Sequence, residues 1–493
     1  MAKKPQPDLP SGVSNMTEIL KSRFGFEALR PVQEQVVSRV LEGGDALVVM
    51  PTGSGKSLCY QLPALVHAER QSPPGVTLVF SPLIALMEDQ VAALKRREIR
   101  AEYVNSTLNK AQRTRRYQQL ASGSYELIYA TPERMGVPEF REALARVPGG
   151  VNLLAVDEAH CISKWGHDLR PAYAQVGQFR SQLGSPTTIA LTATATRSVR
   201  EDIRRVLGLD EQDMPLFSLP IARENLALRA ETVWDDRDKI ERICDVASRL
   251  GGTGIVYMAL IKDLDRLADQ LRRAMPERQV VTYHGKLPPR DKKHIYEQFI
   301  HSTPDDGLLL VATNAFGMGV DKPDIRFIVH AQIPGSVEAY FQEVGRAGRD
   351  GRPAECLLLY AQDDLAIQQE FVEWQNPGPE VMQRVARAIE TNHGPGMHAD
   401  FDVDEIRLDV FGKGHAKVGA RVEYCLIALE KLGVIEPTGI EDRFRFVRAL
   451  RDTEVDADEL EQKRQRDLKH LLEMVNLTRA DDIAAFVDAY FEL

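Results

Sequence analysis

The chain contains two successive series of short apolar runs, and stretches with helical periodicity, such as Leu83–Arg97 and Ala111–Ser122, separate the runs. Near-continuous apolar runs of this length are typical of strands buried on both faces of a parallel sheet. We therefore expect an α/β fold with two tandem doubly wound parallel-sheet domains. The first series predicts the strands Ala46–Met50, Thr77–Phe80, Leu127–Ala130, Leu153–Val156 and Ile189–Thr192. The second series predicts the strands Gly254–Met258, Val280–His284, Leu308–Ala312, Ile325–His330 and Glu355–Tyr360.

Beyond Tyr360 the alternation stops and a mostly helical region follows. Its pattern predicts three helices, at Pro379–Asn392, Asp402–Phe411 and Ala416–Leu432, and then a hairpin at Gly433–Val447. This order is that of a winged helix, a variant of the helix-turn-helix that binds nucleic acid. The alternative is a helical cap on the second α/β domain.

A chain of 493 residues is too long for one compact core. We expect a linker near Leu209–Pro220 between the two α/β domains. The predicted regions are a flexible tail (1–15), the first α/β domain (16–212), the second (213–364), the winged helix (365–450) and a C-terminal helical segment (451–493).

Charge and cysteine content limit the partners of the chain. The net charge of −10 counts against nucleic-acid binding, although such binding depends on local patches of Lys and Arg. The five cysteines form no CxxC pair, so neither a disulfide framework nor a structural zinc site is expected.

No apolar run approaches ~20 residues, and the N-terminus does not resemble a secretory signal. We expect a cytoplasmic protein without membrane contact, associated with the nucleoid if its source is a bacterium.

The sequence MPTGSGKS, Met50 to Ser57, lies between a predicted strand and a predicted helix, which is the setting of a phosphate-binding loop. Its glycines let backbone N–H groups point at phosphate oxygens. Lys56 supplies a charge for the β- and γ-phosphates, and Ser57 a hydroxyl for Mg²⁺. Met50 stands where the strict pattern has Gly. The residues expected to bind the nucleotide here are Thr52, Gly53, Ser54, Gly55, Lys56 and Ser57.

Two carboxylates, Asp157 and Glu158, close the strand Leu153–Val156 in the sequence DEAH. The carboxyl ends of strands are where a doubly wound sheet binds its ligand. Asp157 can hold Mg²⁺ through its water shell, and Glu158 can orient or deprotonate an attacking water molecule. Alone, the motif could be an acidic helix N-terminus. Together with the upstream loop, it favours the catalytic interpretation, with His160 as a coupling residue.

The second domain carries QEVGRAGRDG, Gln342 to Gly351, in which Arg346 and Arg349 lie among small residues. A guanidinium is a planar, permanently charged fork that suits a phosphoryl group whose charge spreads in the transition state. The alternative is an exposed turn in which Glu343 and Asp350 pair with the arginines, an arrangement worth only ~0–1 kcal/mol. We therefore expect Gln342, Arg346 and Arg349 to act in catalysis beside Lys56 and the DEAH carboxylates.

Taken in order, these motifs resemble those of superfamily 2 helicases and, within them, the RecQ family of DNA helicases. The resemblance runs from Phe24 to about Asp364. It implies that residues 16–212 and 213–364 are RecA-like domains that bind ATP between them. It also implies that Gln33 reads the edge of the adenine with Arg30 packed nearby, and that Asp321 belongs to the nucleotide site.

The family's motifs that contact the nucleic-acid strand or couple hydrolysis to movement have counterparts here. The segments that resemble them are Ser81–Met87, Asn105–Thr107, Thr131–Arg134, Ala190–Ala195, Ala312–Thr313 and Phe316–Lys322. The residues that the resemblance implicates are Ser81, Asn105, Ser106, Thr131, Thr192, Thr194 and Thr313.

The segment Cys161–Tyr173 directly follows DEAH and resembles the aromatic-rich loop peculiar to RecQ enzymes. The resemblance assigns to Trp165, His167 and Arg170 either contacts with the nucleic-acid strand or the coupling of nucleic-acid binding to ATP hydrolysis. The alternative is a surface loop with a half-buried Trp. Leu169 stands where the family usually has Phe, so that one stacking platform is missing.

The chain departs from the family pattern in other places. Tyr257–Leu260 is looser than the usual motif after that strand, and Cys425 is the one cysteine available where the family has a four-cysteine zinc module. The family's C-terminal HRDC domain has no counterpart. We expect a short RecQ variant without zinc.

The resemblance implies an ATP- and Mg²⁺-dependent helicase that moves 3′→5′ on single-stranded DNA and unwinds tailed or forked duplexes. DNA repair or recombination, with proteins of those pathways as partners, would be its setting. One alternative is a translocase or remodeller of nucleic acid, with RNA among its candidate substrates, that does not unwind processively. The other is a non-catalytic, nucleotide-gated binding module, against which the intact catalytic residues argue.

Overall fold

The computed structural model describes residues 16–105, 107–163, 171–220, 223–317, 320–394, 400–412, 419–438 and 443–492. Its first domain contains a sheet of seven parallel strands in the order β3-β4-β2-β5-β6-β1-β7. The strands are β1 (Ala46–Val49), β2 (Val76–Phe80), β3 (Ala101–Val104), β4 (Leu127–Ala130), β5 (Val151–Val156), β6 (Thr187–Thr192) and β7 (Leu216–Ser218). The helices are α1 (Pro31–Leu41), α2 (Leu58–Arg70), α3 (Ile84–Arg96), α4 (Lys110–Ala121), α5 (Pro138–Ala145), α6 (Val176–Gln182) and α7 (Arg197–Leu207). Apolar side chains on each face of the sheet pack against helices to form two cores.

The second domain contains a six-stranded sheet in the order β10-β11-β9-β12-β13-β8, and its strand pairs are also parallel. The strands are β8 (Leu226–Thr232), β9 (Thr253–Tyr257), β10 (Val280–Tyr283), β11 (Leu309–Ala312), β12 (Ile325–His330) and β13 (Ala354–Tyr360). The helices are α8 (Asp236–Leu250), α9 (Ile261–Ala274), α10 (Pro289–His301) and α11 (Val337–Val344). The predicted fold class, two doubly wound RecA-like domains with a helical C-terminal region, is confirmed.

In the two parallel sheets the sequence pattern missed three strands, and all three lie at a sheet edge. β3 and β8 are edge strands that are only partly buried, and β7 is half-buried throughout. None of them has the continuous apolar run of a central strand. The expected linker near Leu209–Pro220 is wrong in its second half, because Leu216–Ser218 pairs with β1 as an edge strand. The first sheet therefore extends past the expected boundary at residue 212.

The region after the second sheet has the order of a winged helix. After α12 (Gln362–Gln375) come α13 (Pro379–His393), β14 (Phe401–Asp402), α14 (Val403–Phe411), α15 (Gly419–Lys431), β15 (Ile435–Pro437) and β16 (Arg443–Phe446). The strands form an antiparallel sheet in the order β14-β16-β15, and the two-residue strand β14 was not predicted. These elements bury a core of their own, which fits a separate domain better than a cap.

Two further helices, α16 (Ala457–Leu477) and α17 (Ile483–Phe491), return to the second α/β domain. Leu471, Met474, Val487 and Phe491 are buried in the same core as strands β9, β11 and β12. The segment expected as a separate C-terminal helical unit is thus part of the second domain's core. Among the helices of the described residues, none is both long enough and apolar enough to span a bilayer.

Candidate active site

The predicted site residues of the first domain follow the carboxyl ends of its parallel strands. Val49 pairs with Thr192, and Phe80 pairs with both Ala130 and Val156, so these strands end at one edge. The phosphate loop follows β1, and the DEAH carboxylates follow β5 two strands away. The fold therefore brings the two motifs to the same edge of the sheet.

The phosphate loop turns sharply at two glycines. Gly53 has φ = +77° and Gly55 has φ = +85°, a left-handed conformation that costs Gly little. A Cβ atom at Gly55 would lie 2.6 Å from Gln33 Nε2, so this position also requires the absence of a side chain. The Lys56 Nζ donates to the Met50 carbonyl oxygen at 2.9 Å, across the mouth of the loop. Burial lowers the pKa of Lys56, and the nearby Glu158 and Asp157 oppose this shift.

The expected adenine-recognition residues hold the phosphate loop in this structure. Gln33 Nε2 donates to the carbonyl oxygens of Ser54 at 3.1 Å and Gly55 at 3.3 Å, and its Oε1 accepts from the Arg30 N–H at 3.0 Å. Arg30 Nη1 donates to the Ser54 carbonyl oxygen at 3.3 Å. Since the Gln33 carboxamide is used by the loop backbone, reading of the adenine edge by Gln33 stays a prediction.

Asp157 has a perturbed pKa, and Glu158 has an unusual backbone conformation. Asp157 Oδ1 accepts from the Glu158 N–H at 3.0 Å. Burial and the nearby Glu158 raise the pKa of Asp157 to about 7, against the opposing effect of Lys56. Glu158 has φ = +48°, and a left-handed conformation in a residue other than Gly costs ~1–3 kcal/mol. Such strain is common at functional sites, and here it turns the chain abruptly from β5 into the 3₁₀ turn Ala159–Ile162.

His160 joins the DEAH segment to Ala190–Ala195, the segment that resembles the family's motif for coupling hydrolysis to movement. We call this segment the coupling motif. Its Nδ1 lies 3.0 Å from Thr192 Oγ1 and 3.3 Å from Glu158 Oε2. Thr192 Oγ1 in turn donates to the Thr194 carbonyl oxygen at 3.0 Å. Burial acts to lower the pKa of His160, but Cys161 and Glu158 outweigh it and raise the pKa well above its usual range.

Arg349 of the second domain lies against the phosphate loop of the first. A Cβ atom placed at Gly53 would be 3.2 Å from Arg349 Cγ, so the Arg349 stem passes directly over this glycine. The guanidinium Nη1 donates to the Val320 carbonyl oxygen and to Asp321 Oδ1, each at 2.8 Å. Thr52 Oγ1 donates to the Gly345 carbonyl oxygen at 3.0 Å, which is a second contact between the domains. Burial and the nearby Arg346 lower the pKa of Arg349.

Arg346 is more deeply buried than Arg349. It is 4% exposed, its Nη1 donates to the Gly317 carbonyl oxygen, and its Nε has no hydrogen-bond partner among the described residues. Gln342 is half-buried on α11, the helix that leads into this loop. The sequence treated the two arginines alike, but in the structure the Arg349 stem passes over Gly53 of the phosphate loop, whereas Arg346 contacts Gly317 of the loop after β11.

The domains that form this site match known protein families. Residues 30–202 match the model of the DEAD/DEAH box helicase family, and residues 238–351 match that of the helicase conserved C-terminal domain. A Bacillus subtilis protein named "Probable ATP-dependent DNA helicase RecS" is 40% identical over 77% of this chain and 73% of its own length. The ATP-dependent DNA helicase RecQ of the same organism is 41% identical over 72% of this chain and 58% of its own length. The chain belongs to the RecQ family.

Solved structures of helicases with low sequence identity share the fold of this chain. Mycobacterium smegmatis helicase Lhr, bound to single-stranded DNA and AMP-PNP, superposes with a TM-score of 0.56 at 20% identity, covering 89% of this chain and 61% of that one. The DUF1998 helicase MrfA, bound to DNA, gives a TM-score of 0.60 at 17% identity, covering 91% and 65%. The chain spans less than two thirds of several RecQ relatives, including 58% of the Haemophilus influenzae protein.

In this RecQ-family chain most of the expected strand-contacting side chains are buried. Ser81, Asn105, Thr192, Thr194 and Thr313 are at most 6% exposed, whereas Thr131 is half-buried. Ser81 Oγ, Asn105 Nδ2 and Thr194 Oγ1 have no hydrogen-bond partner among the described residues. Because their side chains are buried, these five residues are better placed to position the loops that carry them than to contact a nucleic-acid strand directly. Ser106, Trp165, His167 and Arg170 lie outside the described residues.

In this RecQ-family chain, residues 345–353 between α11 and β13 form the arginine loop, which carries Arg346 and Arg349. Arg223 and Asn225 hold this loop, and the sequence pattern did not indicate either residue. Arg223 donates to the carbonyl oxygens of Ala347 at 2.9 Å and Gly345 at 3.3 Å, and also to that of Gly348. Asn225 Nδ2 donates to the Gly348 carbonyl oxygen at 2.9 Å. Both residues precede the missed strand β8, so no pattern in the sequence indicates that they lie beside this loop.

The donor set of the site fits a nucleotide with Mg²⁺. The half-buried Asp157 carboxylate and the Ser57 hydroxyl both lie at the carboxyl edge of the first sheet, and Mg²⁺ is usually bound by one or two carboxylates together with substrate phosphates. Within the described ranges, no three His, Cys, Asp or Glu side chains are grouped so as to hold a metal ion by themselves. Any Mg²⁺ here would therefore depend on the phosphates for the rest of its ligands.

Proposed function

We propose that this chain is an ATP-dependent DNA helicase that moves 3′→5′ on single-stranded DNA and unwinds the duplex ahead of it. The observation that carries the proposal is the passage of Arg349 over Gly53, because it joins the phosphate loop of one RecA-like domain to the arginine loop of the other. A nucleotide bound in this cleft would touch both domains. Its hydrolysis could then change their relative position, which is what a motor requires.

Each residue of the cleft has a proposed role. Lys56 and the backbone N–H groups of the phosphate loop would bind the β- and γ-phosphates, and Asp157 and Ser57 would hold Mg²⁺. Mg²⁺, when bound, neutralises charge on the phosphate oxygens. Glu158 would orient the attacking water molecule and accept its proton. Arg349, supported by Arg346, would stabilise the charge that spreads over the transferred phosphoryl group.

Gln342 and Asp321 complete the proposed nucleotide site from the second domain. Gln342 lies one helical turn before Arg346, so that it could sense the γ-phosphate from α11. Asp321 accepts from Arg349 at 2.8 Å, and its exposed carboxylate could keep this arginine oriented. Arg30, Gln33, Thr52 and Ser54 would shape the loop around the nucleotide.

The proposed substrates are single-stranded DNA and tailed or forked duplexes. The names of the relatives support DNA over RNA. Trp165, His167 and Arg170 remain the proposed strand or coupling contacts. A cytoplasmic location, at the nucleoid in a bacterium, and a role in DNA repair or recombination follow from this proposal.

Strand separation on matched substrates tests the proposal. The substrates are 3′-tailed, 5′-tailed, forked and blunt DNA duplexes, together with a 3′-tailed RNA duplex, and the control is Lys56→Ala. We expect ATP-dependent unwinding of the 3′-tailed and forked DNA. DNA-stimulated hydrolysis without unwinding would instead indicate a translocase or remodeller, and binding without hydrolysis a nucleotide-gated binding module.

A further inference from the structure

Arg200, on α7 of the first domain, contacts the C-terminal end of α17 in the second. Its Nη1 donates to the Phe491 carbonyl oxygen at 2.8 Å, and its Nη2 donates to that of Glu492 at 3.3 Å. Nη1 also donates to the Ala195 carbonyl oxygen at 3.1 Å. Ala195 directly follows Thr194 of the predicted coupling motif, so one guanidinium joins this motif to the last helix of the other domain.

α17 is also fixed to the helix that leads into the arginine loop. Tyr490 Oη donates to Glu338 Oε1 on α11 at 2.8 Å. The ring of Phe491 packs edge-on against Phe341 of α11, with centroids 6.2 Å apart. α17 therefore lies between Arg200 on one side and α11 on the other.

The chemistry of a helix end explains why an arginine is suited to this position. The last carbonyl groups of a helix have no partner within it and carry partial negative charge. A guanidinium offers several donors in a fixed plane, so it can serve carbonyl groups on two segments at once. Arg200 is 7% exposed, and a buried cation is costly unless its donors are used. Arg197, about one turn earlier on α7, instead pairs with Glu201 at 2.9 Å on the exposed side.

We propose that Arg200 is a positioning residue that couples the two RecA-like domains through α17. It holds α17, and with it α11 and the arginine loop, against Ala195, the last residue of the coupling motif Ala190–Ala195. A shift of Thr192–Ala195 would thus be transmitted to Arg346 and Arg349 without passing through the nucleotide. This inference rests on the proposed function, because it names a route by which hydrolysis and movement are linked.

The test compares Arg200→Ala and Arg200→Lys with the control Arg197→Ala. The measurements are kcat and KM for ATP with saturating single-stranded DNA, melting temperature, and hydrogen–deuterium exchange of residues 483–492. For Arg200→Ala we expect kcat to fall about tenfold, KM to stay within about twofold, and exchange of α17 to become faster. Arg200→Lys should recover part of kcat, and Arg197→Ala should match the wild type.

Two kinetic results and one exchange result would overturn the coupling role. One is a kcat within about twofold of wild type in Arg200→Ala, since the contact would then not matter for turnover. The other is a parallel loss of kcat, ATP affinity and melting temperature that Arg200→Lys does not relieve, which would indicate a purely structural role. The exchange measurement needs no hydrolysis, and unchanged exchange of α17 in Arg200→Ala would also overturn the inference. A wild-type protein without ATPase activity would count against the proposed function instead.

Discussion

His160 Nδ1 and Thr192 Oγ1 lie 3.0 Å apart at the ends of the neighbouring strands β5 and β6. Because His160 also lies 3.3 Å from Glu158 Oε2, a displacement of Thr192 can reach the proposed catalytic base through a single side chain. We predict that His160→Ala and Thr192→Val each lower DNA-stimulated ATP turnover about tenfold. The double variant should lose little more than either single variant, because both remove the same link. Turnover measured for all four proteins checks this, and losses that multiply would show that the residues act separately.

Lys56→Ala should abolish ATP turnover and leave the fold intact. The Lys56 ammonium contacts a loop carbonyl oxygen and no apolar core, so its removal affects the phosphate site more than packing. Steady-state hydrolysis and circular dichroism are the measurements. Turnover within about tenfold of wild type, equal to only ~1.4 kcal/mol of barrier, would refute the assignment of the loop.

Arg349→Lys should slow ATP hydrolysis by at least about a hundredfold while weakening ATP binding only slightly. A lysine keeps the charge but loses the fork that serves a transition state. Arg346→Lys should have a smaller effect on hydrolysis, because Arg346 contacts Gly317 of the loop after β11, whereas the Arg349 stem passes over Gly53. Single-turnover hydrolysis and nucleotide binding, measured separately, distinguish the two steps. Equal losses in both variants would mean that the arginines share the role.

Asp157→Asn should change how stability depends on pH. The folded-state pKa of Asp157 is raised to about 7 by burial, so between about pH 4 and pH 7 the folded state holds a proton that the unfolded state has lost. Stability of the wild type therefore falls as pH rises through this window. Asp157→Asn removes this titration. The difference in unfolding free energy between the variant and the wild type should therefore change in favour of the variant by about 1–3 kcal/mol between pH 5 and pH 8. The measurement is the melting temperature of both proteins as a function of pH, without nucleotide or Mg²⁺. Melting temperatures that change in parallel across this range would contradict the prediction.

The purified protein should hold no stoichiometric structural zinc. A structural zinc site needs about four Cys or His ligands, and Cys425 is the one cysteine after Tyr360. Elemental analysis after dialysis gives the metal content, and a melting curve with a chelator gives the effect of metal removal. One tightly held zinc per chain, with loss of structure on chelation, would contradict this prediction.

Central strands and loop motifs could be predicted from the sequence because their signals are local. β4 and β11 are apolar along their length, and the glycines and Lys56 of the phosphate loop are close together in the chain. Edge strands such as β7 lack that signal, since only part of each is buried. The contacts of Arg349 with Gly53 and of Arg200 with Phe491 join residues almost 300 positions apart. No spacing pattern reports such pairs, because they depend on how the domains pack.

The return of α16 and α17 to the core of the second domain has a consequence for biosynthesis. During synthesis the first domain has its whole sheet once Ser218 has emerged from the ribosome, and it can fold at that point. The second domain must wait for Phe491, while the entire winged helix is made and folds in between. Until then its apolar face, which Leu471, Met474 and Val487 later cover, stays open to other chains. A stall or truncation after the winged helix would therefore release a protein whose first domain is native and whose second domain is prone to aggregate.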